Sequence, residues 1–147
     1  MILFLGVDVG ENGGLAVLSD HGTVVATTRM PAEDADLFAW IGQWSVKSDA
    51  IYATVERVWA TPQMGVVSAF SFGGSYRAVK MALAGNHIFF EEVTPMVWQK
   101  SMRCLTGGDK NVSKAKAMEL FPLIKVTHAI ADALLIAEYG RRIKTRD

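Results

Sequence analysis

A single cysteine, three histidines and four prolines among 147 residues leave little room for disulfide or zinc chemistry. Cys104 has no second thiol to pair with and no Cys or His neighbour at ligand spacing, so it reads as an ordinary semi-buried thiol. No run approaches the roughly 18 uninterrupted apolar residues of a membrane span. The apolar start lacks a basic leader and a cleavage pattern, and a soluble protein of the cytoplasm is expected. Net charge is zero, so no global excess of either sign draws a partner. The distribution is uneven, however: residues 1–99 carry 5 Lys+Arg against 10 Asp+Glu, and residues 100–147 carry 10 against 5. That asymmetry permits a basic surface, and solvated helix faces account for it equally well.

What is present is apolar sequence, half of the chain, enough for one compact domain over 1–147 with a full core. Ile2 to Val7 is short, continuous and apolar, as in a strand covered on both faces. Gly10, Gly13 and Gly14 mark a turn before Leu15 to Leu18. Asp20-His21-Gly22 then turns into a β-branched run, Thr23 to Thr28, which completes a three-strand meander. Pro31 with Glu33, Asp34 and Asp36 opens a helix whose Leu37, Trp40, Ile41 and Trp44 recur at helical spacing. Ile51 to Val58 reads as a fourth strand, parallel to the first after that crossover.

Gln63 to Ala84 has a helical pattern with Val67, Phe70, Ala78, Met81 and Ala82 available for packing, and Gly73-Gly74 weakens or bends its middle. His87 to Val93 is a fifth strand, Pro95 to Met102 a short helix, and Gly107-Gly108-Asp109 a mobile break. Ser113 is expected to cap a helix ending at Phe121-Pro122. The last helix, Thr127 to Ile143, is apolar around most of its circumference and so lies against the sheet. Strands followed by interleaved helices predict a mixed five-stranded α/β sheet flanked by helices.

Three acids stand at the ends of, or inside, these apolar elements. Asp8 leaves the first strand, Glu56 the fourth, and Asp132 lies among Ala131, Ala133, Leu134 and Leu135. A buried carboxylate costs several kcal/mol unless a cation or hydrogen bonds hold it. If the two strands are parallel neighbours, Asp8 and Glu56 emerge at one sheet edge, where open α/β sheets place ligands. Carboxylates converging there suit two Mg²⁺ or Mn²⁺ ions about 4 Å apart, the arrangement that cleaves phosphodiesters. Singly, each acid has other readings. Asp8-x-Gly10 also begins sugar kinases and actin-like ATPases, and Glu56 fits a strand-end surface acid.

Taken together, Gly6-Val7-Asp8-Val9-Gly10, Gly13 to Val17, Val55 to Trp59 and His128 to Leu134 resemble the RuvC-like Holliday junction resolvases. The short phage-type members, within the ribonuclease H-like superfamily, are the most similar. The resemblance spans nearly the whole chain. It implies a ribonuclease H-like fold and a homodimer, paired through Met64 to Leu83, that binds four-way DNA junctions and nicks two opposing strands with divalent metal. Asp8, Glu56 and Asp132 fall on the family's metal-binding acids, and Lys100 and Lys114 lie where it keeps basic residues near the scissile phosphate. Trp59 matches an aromatic that stacks on bases. Arg57, Arg77, Lys80 and Lys110 are expected phosphate contacts. His128 fits either a polar helix start or a neighbour of the site.

One position departs from the family: an acid is expected where Ala129 stands. Residues 129 and 132 share a helix face, so the fourth metal-binding carboxylate is missing, by nature or by design. A chain that binds junctions and cleaves poorly is the consequence. The alternatives are a related ribonuclease H-like nuclease acting on forks, flaps or RNA, a non-catalytic junction-binding protein, and an ATP-binding domain related to sugar kinases. The last needs a second nucleotide-binding half, for which 147 residues leave little space.

Overall fold

Continuous apolar runs form the centre of the sheet because both of its faces are covered. The computed structural model describes residues 1–146 and has five strands and five helices. The strands are β1 (Ile2–Asp8), β2 (Gly14–Ser19), β3 (Val24–Arg29), β4 (Ala50–Glu56) and β5 (Phe90–Val93). The helices are α1 (Asp34–Lys47), α2 (Val66–Gly85), α3 (Pro95–Ser101), α4 (Lys110–Leu120) and α5 (His128–Lys144). Sheet order is β3-β2-β1-β4-β5. The β1–β2 and β2–β3 pairs are antiparallel, and the β1–β4 and β4–β5 pairs are parallel. This is the mixed sheet that the pattern predicts.

Alternation along β1 divides the core in two. Leu3, Leu5 and Val7 pack with Leu37, Ile41, Val79 and Leu83 of α1 and α2. On the opposite face α5 contributes Ala133, Leu134 and Ala137 to a second cluster with Ala16, Leu18 and Trp98. The approach of α5 is close because the facing residues are small. A Cβ on Gly6 would lie 2.2 Å from the Ala133 carbonyl oxygen, and one on Gly14 would lie 2.5 Å from that of Ala129. Farther along, Gly140 makes room for the Thr54 side chain. The far end of α5 is held by buried Glu138, which accepts from Arg141 at 2.7 and 2.8 Å and from Arg142 at 2.7 Å. Arg141 also donates to the Asp20 carbonyl at 3.0 Å, fastening the helix to the β2–β3 turn. Burial opposes ionisation of Glu138, but the two arginines outweigh it and hold its pKa below the usual value.

Several boundaries differ from the sequence reading. Asp109, not Ser113, caps α4: its carboxylate accepts the Asn111 N–H at 2.9 Å. Ser113 lies one turn inside, almost fully buried. The fifth strand begins only at Phe90, because His87 turns the chain with φ 56°. α2 is continuous through Gly73-Gly74. Of its expected packing residues, Ala82 is buried, whereas Val67, Phe70 and Met81 are exposed. Cys104 is fully buried rather than half-buried. Among the described residues no helix is long and apolar enough to cross a membrane.

The Gly6 contact is backbone against backbone, so it cannot relax by a rotamer change. Gly6→Ala should cost about 2–3 kcal/mol of stability, the scale of overpacking in a tight core, read by urea denaturation. A loss under about 0.5 kcal/mol, ordinary for surface changes, would mean that α5 can ride higher on the sheet.

Candidate metal centre

Strand register brings the first two acids together. Val7 pairs with Val55 in the parallel β1–β4 ladder, so the next residue on each strand puts Asp8 beside Glu56. Both side chains leave on the α5 face, and the close approach of α5 over Gly6 and Gly14 brings Asp132 above them. All three line one cavity of about 440 Å³. The far wall is Met64 in the loop before α2 and Ser68, Ser71 and Phe72 on α2. Ser75 accepts the Gly10 N–H at 3.2 Å and ties α2 to the loop after β1.

The electrostatics are those of crowded buried anions. Burial, then repulsion from Glu56 and Asp132, raises the Asp8 pKa well above its ordinary value. Burial pushes Glu56 up to about 7, partly opposed by the Trp98 indole N–H, which donates to its Oε2 at 2.7 Å. Asp132 is raised by burial and relieved by Ser113, Lys110 and His128. Its Oδ1 is buried without any hydrogen-bond partner. An orphaned buried carboxylate oxygen is costly, and a cation at this position would satisfy it.

Among the described residues no three His, Cys, Asp or Glu side chains enclose a metal position as they stand. The acids line an open pocket rather than a closed cage, as three like charges that repel should do. The donor set is carboxylate oxygen, which suits Mg²⁺ or Mn²⁺ and not zinc. With the orphaned Asp132 oxygen, the residues present fit a hard divalent ion.

Lys110 is the one lysine in this cavity, and its charge favours the ionised form of Asp8, Glu56 and Asp132 alike. Lys100 on α3 and Lys114 on α4 stand outside it. Ala129 is not among the lining residues; its backbone rests on Gly14. Trp59, Arg57 and Lys80 line a second cavity of about 530 Å³ with Tyr76 and Glu92. In it the Tyr76 hydroxyl donates to Glu92, and Lys80 lies 4.2 Å from the Tyr76 ring centre. Arg77 is exposed on the side of α2 away from the pocket serines. Trp98 and Ser75 escaped the sequence reading, and Ser113 was read only as a helix cap. Lys110 and Ser113, three residues apart, share a face of α4, a signal hidden by placing the cap at Ser113.

No protein-family model and no curated protein matches this chain. Among solved structures it is similar to Thermus thermophilus RuvC in complex with a Holliday junction substrate, with TM-score 0.72 and 17% identity over 99% of this chain and 97% of that one. A further structure of Thermus thermophilus RuvC matches with TM-score 0.71 and 17% identity, covering 97% and 95%. The chain therefore has the ribonuclease H-like fold of RuvC.

A carboxyl group whose folded pKa is raised binds its proton more firmly folded than unfolded. Its contribution to stability is full below the unfolded value and lost as pH rises through the folded one. For Glu56 that window runs from 4.5 to about 7. In chelator, the chain should lose on the order of 2 kcal/mol between pH 5 and pH 8, measured by urea denaturation, and Mn²⁺ should restore it at pH 8. An equal loss in Glu56→Gln would show that the trend arises elsewhere.

Proposed function

We propose that the chain is a structure-selective endonuclease that binds branched DNA, four-way junctions above all, and nicks opposing strands by metal-dependent phosphodiester hydrolysis. The observation that carries this reading is the meeting of Asp8, Glu56 and Asp132 in one cavity of a RuvC-type fold. The printed substrate of the Thermus protein, a Holliday junction, supports the substrate class. A short phage-type enzyme acting in a bacterial cytoplasm fits the same reading.

Asp8, Glu56 and Asp132 would hold Mg²⁺ or Mn²⁺, which when bound activates water and offsets charge on the phosphodiester. Trp98 fixes one oxygen of Glu56 and limits rotation of that carboxylate. Lys110 sets a positive charge at the cavity where a strand's phosphate would enter, favouring charge that builds on its oxygens. Beyond Glu56, Arg57 and Lys80 offer phosphate contacts, and the exposed face of Trp59 offers a base-stacking platform. Ala129 leaves the site one carboxylate short, so cleavage is weak while binding persists.

Homodimerisation is supported by α2. Val66, Phe70 and Met81 are 86, 86 and 60% exposed and recur on one stripe with Gly73 and Arg77, opposite Ser68, Phe72 and Ser75. Exposed large apolar side chains grouped on one helix face mark an interaction surface, and the open space at Gly73 and Gly74 lets a second helix come near.

Two experiments test the reading. A panel of four-way junction, Y-shaped fork, duplex and RNA hybrid, cut with Mn²⁺, should show nicking of the junction first. Ala129→Asp should raise that rate and Asp132→Asn should abolish it with junction binding retained; equal rates for Ala129→Asp and the present chain would refute the missing-ligand idea. Sedimentation at micromolar concentration should give a dimer that Phe70→Asp converts to a folded monomer. A monomer for the unaltered chain would count against pairing through α2.

A further inference from the structure

We infer that the cavity lined by Arg57, Trp59, Tyr76, Lys80 and Glu92 takes one unpaired nucleotide and selects guanine, with Glu92 as the residue that reads the base. The inference rests on the reading of DNA as the substrate. Place comes first. Glu56 lines the metal pocket, and the next residue, Arg57, lines this one. On α2, Phe72 belongs to the first cavity, and Tyr76 and Lys80, one and two turns farther on, belong to the second. Across the sheet, Glu92 stands next to Val93, the β5 partner of Glu56. The two cavities are therefore neighbours, and a strand that reaches the acids brings an adjacent nucleotide to Glu92. The volume, about 530 Å³, lies in the range of small-molecule sites, roughly 300–1,000 Å³.

The lining has the chemistry of a base site. Trp59 is 56% exposed and gives an aromatic wall on which any base stacks. Glu92 is held in a set orientation. Its Oε1 accepts from the Tyr76 hydroxyl and lies 3.9 Å from Lys80 Nζ, which itself sits 4.2 Å from the Tyr76 ring centre. Both contacts fall on Oε1, so Oε2 and a remaining lone pair of Oε1 are left to accept from a ligand. A carboxylate only accepts and so matches a base edge with two adjacent N–H donors. Guanine has that edge, N1–H beside the N2 amine, with O6 next to them for one of the three N–H donors of Lys80. In adenine, cytosine and thymine a lone pair stands beside the donor and would face the second carboxylate oxygen. This edge is engaged in any base pair, so reading it needs a base out of the stack, which costs least where pairing is already broken, as at a branch point.

The test is binding of the full chain, in chelator, to fluorescent thymidine oligonucleotides carrying one central guanine, adenine, cytosine or thymine, followed by anisotropy. Guanine should bind about fivefold or more tighter than the others, the low end of discrimination by one bidentate pair. Inosine, which lacks the N2 amine, should lose that preference, and 7-deazaguanine, altered only on the opposite edge, should keep it. Glu92→Gln, with folding checked by circular dichroism, should turn the preference to adenine, because an amide gives one donor and one acceptor. Trp59→Ala should weaken all four oligonucleotides alike. A purely structural Glu92 would change stability and leave the order of bases as it was. Equal affinity for the four, no binding to any, a preference kept by inosine or lost with 7-deazaguanine, or an unchanged order in Glu92→Gln overturns the inference. Junctions nicked by a chain without such selectivity leave the proposed function standing. Guanine selection by a chain that nicks no branched DNA keeps the inference and loses that function.

Discussion

The close passage of α5 across β1 and β2 is the constraint on which the site depends. Gly6 and Gly14 meet helix backbone at Ala133, Ala137 and Ala129, and Gly140 meets Thr54 on β4. These contacts set the height of the helix over the sheet, and so the height of Asp132 over Asp8 and Glu56. A side chain at Gly6 or Gly14 would lift α5 and draw Asp132 out of reach of its companions. The alanine spacing of α5 is thus a positioning device as well as a helix former, with Glu138 and its two arginines holding the opposite end.

Holding the acids together costs stability that the rest of the fold must supply. Burial raises the pKa of all three, and the unpartnered Asp132 oxygen adds a desolvation penalty of about 1–3 kcal/mol. Two separate apolar clusters, one on each face of the sheet, provide that margin. The partial remedies nearby are Trp98 for Glu56, Ser113 for Asp132 and the charge of Lys110 for all three. Each is partial, and none closes the site. A pocket tensioned in this way favours whichever cation neutralises it.

The sheet was legible because burial on both faces leaves unbroken apolar runs, and a strand's acid at the end of such a run declares its own address. Asp8 and Glu56 were placed by that logic, and the parallel register needed only the crossover rule. Asp132 stood out because alanine and leucine surround it. Trp98 was not legible, since it reaches Glu56 only after β5 pairs with β4 and α3 turns back. Lys110 was read only as a phosphate contact, with the cap of α4 placed four residues late, at Ser113 in place of Asp109. With the cap at Asp109, exposed Lys110 stands at the start of the same helix face as buried Ser113 and Ala117. The exposed side of α2 misled for a different reason: apolar periodicity reports that a face is covered, not that its own chain covers it.

That last point connects the outer surface of α2 to the site. Ser68, Ser71 and Phe72 form a wall of the metal pocket, and Ser75 holds the Gly10 loop. Val66 and Phe70 occupy the opposite side of the same helical turns. The C-terminal half of α2 is fixed in the core through fully buried Val79, Ala82 and Leu83; nearer its start it is held by half-buried Phe72 against the same cluster and by Ser75 on the Gly10 loop. Ordering of those turns from outside therefore restrains the wall that faces the acids. The exposed stripe and the wall facing the acids therefore share one rigid element, and a second copy docked on the stripe, as proposed, would act on both sites at once. Weakening one should be felt at the other without any change in the carboxylates, because the coupling runs through the helix and not through charge.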